Sequence, residues 1–269
     1  MQNRLSGEQL MANKSDRYFL SQNRRTVSCS LNRELLYLAK RYNSSRLSLK
    51  AGVEYFFGSA ILTNDFCRYN DIICIDATRV ILRDRSSADD YIHASWMTMP
   101  DQYKYICTQG PLQETLEDFW HMMFCERSTV LVQLCNFVEG KHEKCSQYFP
   151  STKGSTKILT MIGNSSFTLG QTMTVNHFSY VVWPDHTAPF DPAPMVGCLK
   201  LCKQLASGQP ITVHCSAGIG RSATFVAIDY AWQKIISNGE TKMIDVLKEV
   251  RQQRFHAIQS PIQYIFLHM

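Results

Sequence analysis

The sequence predicts a single α/β domain: a twisted, mostly antiparallel mixed sheet flanked by helices, with a glycine-bearing loop between a strand and a helix. Three observations carry this. From about residue 72 to 178 the chain is a series of short β-rich runs broken by turn residues. After Pro194 the apolar period lengthens to that of helices. Near the end, the short apolar run "PITV" (210–213) meets a loop with two glycines and then a long helical run. Strands followed by helices suggest one sheet with helical cover. At 269 residues the chain is long enough for one large domain and short for two.

Residues 1–29 are polar and aperiodic, and read as a loose basic extension ahead of a domain over 30–269. "LNRELLYLAKRY" (31–42) repeats leucine at helical spacing. "DIICI" (71–75), "TRVIL" (78–82), "DYIHASWM" (90–97), "YKYICT" (103–108) and "TVLVQL" (129–134) read as strands. "KILTMI" (157–162), "SSFTLG" (165–170) and "QTMTVNHF" (171–178) continue that pattern. One helix interrupts it, "TLEDFWHMMF" (115–124), with Leu116, Phe119, Trp120 and Met123 on one face. "MVGCLKLCKQLA" (195–206) is a helix closed by Ser207-Gly208. "SATFVAIDYAWQKII" (222–236) is a helix with Phe225, Ile228, Trp232 and Ile235 along one face, stopping at Asn238-Gly239. "TKMIDVLKEVRQQR" (241–254) is a further helix, with Thr241 as its expected N-cap.

Composition is that of an ordinary globular chain, 45% hydrophobic and 19% charged. No apolar stretch reaches the roughly 18 residues of a membrane helix, and the first residues lack a signal-peptide pattern. A cytoplasmic monomer with no membrane span is the expectation. The net charge of +5 is uneven: residues 1–50 hold ten basic and three acidic residues, the remainder 18 and 20. A solvated helical face and a loose tail account for that excess. No arginine–aromatic repeat or zinc-finger spacing points to nucleic acid.

Ten cysteines stand at 29, 67, 74, 107, 125, 135, 145, 198, 202 and 215, with no C-x-x-C pair. Most sit in apolar runs and read as reduced, buried thiols. Only Cys215 has neighbours that make it reactive. The eight histidines form no HExxH or carboxylate cluster, so neither a metal nor another cofactor is expected.

"VHCSAGIGRSATFVAIDY" (213–230) is the chemically informative stretch. A strand, a glycine loop and a helix start make an anion site, because loop amides and the first-turn amides of the helix lack partners. Gly218 and Gly220 let those amides converge. Arg221 adds a planar fork matched to two phosphate oxygens. The same positive surroundings should hold the Cys215 thiol well below the ~8.5 of a free thiol. A thiolate at the bottom of such a cradle suits attack on phosphorus. The alternative, an inert cysteine in a tight turn, explains neither Arg221 nor the paired glycines.

"HCSAGIGRS" (214–222) resembles the active-site signature of the tyrosine-specific protein phosphatases. "WPDHTAP" (183–189) is similar to that family's acid loop, "CRYNDI" (67–72) to its phosphotyrosine-recognition loop, and "QSPIQY" (259–264) to its glutamine loop. "DYIHASW" (90–96), "QGPLQETLEDFW" (109–120) and "EGKHEKCSQYFP" (139–150) also match, all in order from about residue 30 onward.

The resemblance implies hydrolysis of phosphotyrosine in signalling proteins through a phosphocysteine. Cys215 would be the nucleophile. Arg221 and the amides of Ser216, Ala217, Gly218, Ile219 and Gly220 would hold the phosphate. Ser222 would place its hydroxyl near the sulfur, and His214 would steady the loop. Asp185 would protonate the leaving tyrosinate, which is a poor leaving group near neutral pH, and then act as base for the hydrolytic water. Trp183 would serve in the hinge of its loop. Gln263 would orient that water with help from Gln259. Tyr69 would stack on the substrate ring and deepen the pocket, excluding shorter phosphoserine. Asp71 would accept from the substrate backbone. Glu139 would pair with Arg221, with Lys144 nearby.

Ala223 follows Ser222 where the family often has glycine, Asn70 stands where it often has a basic residue, and Pro261 lies inside the glutamine loop, restricting its predecessor. One rival reading is a phosphotyrosine-binding pseudophosphatase, which usually lacks the Cys, the acid or the Arg. Inositol-lipid phosphatases carry lysines within the loop, dual-specificity enzymes generally lack the "RY" loop, and a sulfur-transfer enzyme has no use for Asp185 and Gln263.

Overall fold

A computed structural model describes residues 66–150 and 172–269 of the chain. The expected basic extension, the helix over 31–42 and the runs at 157–162 and 165–170 lie outside the described residues.

The elements follow in order: β1 (Arg79–Ile81), β2 (Tyr91–Thr98), β3 (Lys104–Thr108), α1 (Leu116–Cys125), β4 (Val130–Gln133), β5 (Val138–Glu139), β6 (His142–Glu143) and β7 (Asn176–Ser179). Then come α2 (Ala193–Ala206), β8 (Ile211–His214), α3 (Arg221–Ser237), α4 (Met243–Gln253) and α5 (Pro261–Phe266). Six strands form one sheet in the order β1-β2-β3-β8-β4-β7, and β5 pairs with β6 beside it. The expected mixed sheet is present: among the described residues three pairings are antiparallel and three parallel. The helical crossovers α1 and α2 are the reason for the parallel ones, since each returns the chain to start a new strand in the direction of the last.

That choice positions the site. β3, β8, β4 and β7 all run in one direction, and Thr108, His214, Gln133 and Ser179 are in register across them. The four loops that follow these strands therefore emerge at one edge of the sheet, where α/β folds bind ligands. β8 is central and buried at all four positions, as a short parallel strand covered on both faces must be. Leu134 N–H donates to His214 O at 2.9 Å, and Gly110 N–H to Ser216 O at 2.8 Å, extending the ladder into the loops.

Three local expectations are corrected. "DIICI" is not a strand: its backbone turns at Ile72 N–H to Tyr69 O and Thr78 N–H to Ile75 O. Its apolar alternation instead buries Ile72, Cys74 and Ile75 against β2 and the loop after α4. Thr241 does not cap α4. Its hydroxyl donates backward to Lys234 O and Asn238 O, and Lys242 occupies the cap position with no side-chain bond. The stripe on α3 is only half used: Phe225 is fully buried, whereas Trp232 is 62% and Ile235 43% exposed. Nearly every residue from Arg221 to Ala231 is buried instead, because the first half of α3 is embedded behind β8 and has no solvent face.

Candidate active site

The loop of residues 215–220 leaves β8 and enters α3 at Arg221. Gly218 has φ +71°, and a Cβ there would collide with the Thr108 carbonyl and lie 2.8 Å from Gln109 N. Only glycine lets the loop lie this close to the end of β3. Its N–H donates to Cys215 Sγ at 3.3 Å, a donor suited to a thiolate. Cys215 is 3% exposed, so the sulfur is at the floor of the site. The outer side of the loop is tied down as well. Arg254 donates to Ala217 O and Gly218 O, and the Cys107 thiol donates to Gly218 O.

Arg221 is fully buried. Its Nη1 donates to Glu139 Oε1 at 2.6 Å and to Trp183 O at 2.9 Å, and its Nη2 to Glu139 Oε2 at 3.2 Å. Burial would lower its pKa, but the Glu139 bond and the negative groups at Cys215 and Asp185 outweigh burial and keep it charged. Its Nε has no hydrogen-bond partner, and neither has Ser222 Oγ one residue on or Gln263 Nε2. Ser222 Oγ therefore makes no hydrogen bond to the sulfur.

Asp185 lies in the loop after β7. Lys144 donates to its Oδ2 at 2.8 Å, Arg221 Nη2 is 3.3 Å from its Oδ1, and exposed His186 is 4.0 Å away. Burial pushes this carboxyl up, but the Lys144 bond and the Arg221 charge more than reverse it, leaving it below the usual aspartate range. Trp183 is buried, donates through Nε1 to Thr187 O at 2.7 Å and packs on Phe266. It thus anchors the loop that carries Asp185.

Tyr69 reaches the site from the other side: its hydroxyl is 2.8 Å from Ser216 Oγ. Asp71, two residues on, is exposed. Gln263 is buried near the loop, its Nε2 3.2 Å from where a Cβ on Gly220 would stand, with Gln259 Oε1 at 3.0 Å from the same point. Pro261 does not disturb this arrangement. It is the first residue of α5, Ser260 before it is extended, and Ser260 and Gln263 form a capping box. Gln263 Oε1 accepts from Gln259 N–H and Ser260 N–H, which aims its amide nitrogen toward the loop.

His214 is fully buried, and burial, above all, pushes its pKa down to about 3. Neutral, it donates from Nδ1 to Cys215 O at 3.1 Å and accepts at Nε2 from the Tyr148 hydroxyl at 2.7 Å. This is the tautomer that the two bonds require.

The structure thus brings Cys215, Arg221, Asp185, Tyr69, Gln263, Gln259, Glu139 and Lys144 around one loop. Sequence reasoning missed Arg254, Tyr148, Gln109 and Arg68. Gln109 Oε1 accepts from Arg68 N–H, its Nε2 donates to Phe66 O, and Arg68 donates to Gly110 O and Pro111 O, so together they fasten the segment carrying Tyr69. Among the described residues no group of three or more His, Cys, Asp or Glu is arranged to hold a metal.

A model of the protein-tyrosine phosphatase family matches residues 63–269. The mouse tyrosine-protein phosphatase non-receptor type 13 is 32% identical over 221 residues, covering 74% of this chain and 9% of that protein. The human tyrosine-protein phosphatase non-receptor type 9 is 35% identical over 238 residues, covering 74% of this chain and 40% of that one. The chain therefore spans less than half the length of these curated relatives. Among solved structures, the catalytic domain of human protein tyrosine phosphatase non-receptor type 18 superposes with a TM-score of 0.76 at 26% identity, covering 90% of this chain and 97% of that one.

Proposed function

The chain belongs to the protein-tyrosine phosphatase family, and from that premise we propose that it hydrolyses phosphotyrosine in proteins through a phosphocysteine intermediate. One observation supports this reading above the others. Three buried polar atoms without partners, Arg221 Nε, Ser222 Oγ and Gln263 Nε2, border the loop that holds the Cys215 sulfur. Buried polar groups are almost always satisfied, so such a cluster is a site prepared for a polar ligand.

The Cys215 thiolate attacks phosphorus and the ester bond to the tyrosine oxygen breaks, with Asp185 delivering a proton to that oxygen. Water, losing a proton to Asp185 and held by Gln263 and Gln259, then attacks the phosphocysteine and releases phosphate and thiolate. Arg221 and the amides of residues 216–221 take up the charge on the phosphoryl oxygens. The ion pairs of Asp185 favour its charged form in the free protein. A phosphate dianion on Arg221 competes for that arginine and adds negative charge nearby, raising the carboxyl toward a proton donor. Tyr69 forms one wall, stacking on the substrate ring, and Asp71 accepts from the peptide backbone. A cytoplasmic setting belongs to the same proposal; among the described residues no helix is long and apolar enough to cross a membrane.

Hydrolysis of a phosphotyrosine peptide without added metal tests the reading, with wild type, Cys215→Ser and Asp185→Ala side by side and a phosphoserine peptide as control. Turnover confined to phosphotyrosine, abolished in Cys215→Ser and strongly reduced in Asp185→Ala, is expected. Tight binding without turnover by the wild type would sustain the pseudophosphatase reading instead, against the presence of Cys215, Arg221 and Asp185 together.

A further inference from the structure

Behind the phosphate loop lies a second buried arginine, Arg254, fully enclosed at the end of α4. All five of its N–H donors have acceptors. Nε donates to Gly218 O at 3.2 Å, Nη1 to Cys74 Sγ at 3.0 Å and Ser95 Oγ at 3.1 Å, and Nη2 to His93 Nδ1 at 3.1 Å and Ala217 O at 3.2 Å. None is a carboxylate, and among the described residues no carboxylate lies within ion-pair distance of Arg254. Hydrogen bonds satisfy the donors, but a buried charge also needs a counter-charge. Two acceptors are carbonyls and one is a hydroxyl. His93 donates from Nε2 to Ile72 O at 2.9 Å, which leaves Nδ1 as the bare acceptor of a neutral ring. Only the Cys74 sulfur can carry a negative charge.

We propose that Cys74 is a buried thiolate that neutralises Arg254 and thereby positions the phosphate loop. Through Arg254 it reaches two peptide units. In a trans peptide the C=O and the following N–H point in opposite directions. Drawing the carbonyls of Ala217 and Gly218 outward to Arg254 turns the N–H groups of Gly218 and Ile219 inward, and Gly218 N–H does meet Cys215 Sγ. Burial alone would raise the Cys74 thiol; the Arg254 charge, whose Nη1 lies 3.0 Å from the sulfur, opposes that and favours the thiolate. The other titratable groups facing it are Tyr91 on β2, Cys107 on β3 and Cys67 ahead of β1, all thiols or hydroxyls that burial keeps protonated. The outlying 3.8 Å contact from Cys74 to Ala94 O is forgone in the thiolate.

Ultraviolet thiolate absorbance, titrated against pH, reads the ionisation directly. The background is Cys198→Ser with Cys215→Ser, which removes the catalytic thiol and the other thiol held low. A thiolate step lying below the ~8.5 of an ordinary thiol is expected there, and adding Cys74→Ser should remove it. No step, or one that survives Cys74→Ser, would overturn the proposal; the first reading stands even where Cys74→Ser does not fold. In the otherwise native chain, Cys74→Ser should lower kcat/KM by about tenfold to a hundredfold through misplaced loop amides, and unchanged kinetics would remove the positioning role. This activity arm rests on the phosphatase reading. The absorbance arm does not, so an inactive wild type would count against the function and leave the thiolate to be decided on its own.

Discussion

Arg221 and Glu139 form a two-pronged ion pair, 2.6 Å and 3.2 Å, in which the guanidinium is completely buried and the carboxylate is 18% exposed. Glu139 is itself fixed, since Oε1 also accepts from Asn136 N–H and β5 pairs with β6 through Glu139 and His142. Removing one member of a buried pair leaves the other charge uncompensated. Glu139→Ala should therefore destabilise the fold by about 3 kcal/mol, seen as a lower urea midpoint, and reduce kcat/KM by freeing Arg221 from its working direction. A midpoint that does not move would show that Arg221 finds another partner.

On the proposed mechanism, Asp185 carries the pH dependence of the first chemical step. Its folded pKa is depressed, so the pair with Lys144 contributes stability above the unfolded value of ~3.9 and loses it as pH falls through the folded value. That window lies below about pH 4, well under the working range. In catalysis the sign matters the other way, because the acid must hold its proton. Lys144→Ala removes the hydrogen bond that most opposes burial at Asp185, so the basic limb of kcat/KM should move to higher pH. Asp185→Ala should abolish that limb and lower kcat by roughly 10²–10⁴-fold. A basic limb unmoved by Lys144→Ala would assign it to another group.

The region around Cys215 was legible because its signals are local. Glycine spacing, an apolar strand and the onset of helical period sit within a single stretch, 210–236, and β8, the loop and α3 follow that reading. What the sequence left open depends on partners distant in the chain. The direction of β8 is set by β3 and β4, whose paired residues Tyr105 and Val130 lie 106 and 81 positions before Ile211. "DIICI" has strand-like alternation, but its Cys74 and Ile75 are buried by β2 and Arg254 rather than by a ladder. Cys74 read as one more apolar thiol, since nothing near it in sequence announces an arginine 180 residues away. Thr241 shows the limit at short range: a good N-cap residue type found a better use for its hydroxyl on the end of α3.

The Tyr148 hydroxyl is shared by three side chains, His214 Nε2 at 2.7 Å, His177 Nε2 at 3.0 Å and Gln133 Oε1 at 3.2 Å. Tyr148→Phe strips the buried His214 nitrogen of its donor and should cost about 1–3 kcal/mol by thermal or urea unfolding. His214 also sets an acid limit on stability. Its pKa falls from an unfolded ~6.5 to about 3, so the unfolded chain binds the extra proton between those values. Stability should decline as pH drops from 6.5 toward 3, and His214→Gln should flatten that decline. A wild-type curve already flat over this interval would mean the ring is not held neutral.

Gly218 is the position where backbone geometry alone decides the outcome. Its φ of +71° is in the left-handed region, and the space beside it is filled by backbone of β3 rather than by a side chain that could swing away. Gly218→Ala adds strain of about 1 kcal/mol from φ, and then a clash with the Thr108 carbonyl that only a shift of the loop can relieve. That shift would carry the Gly218 N–H away from Cys215 Sγ and its carbonyl away from Arg254. The expected result is a loss of at least about 2 kcal/mol in stability, together with a fall in kcat much larger than any change in KM for a phosphotyrosine peptide. Gly239→Ala is the control, because a Cβ there meets nothing within 4 Å. It should leave both measurements unchanged, and equal effects of the two substitutions would show that the contact with β3 is not what confines the loop.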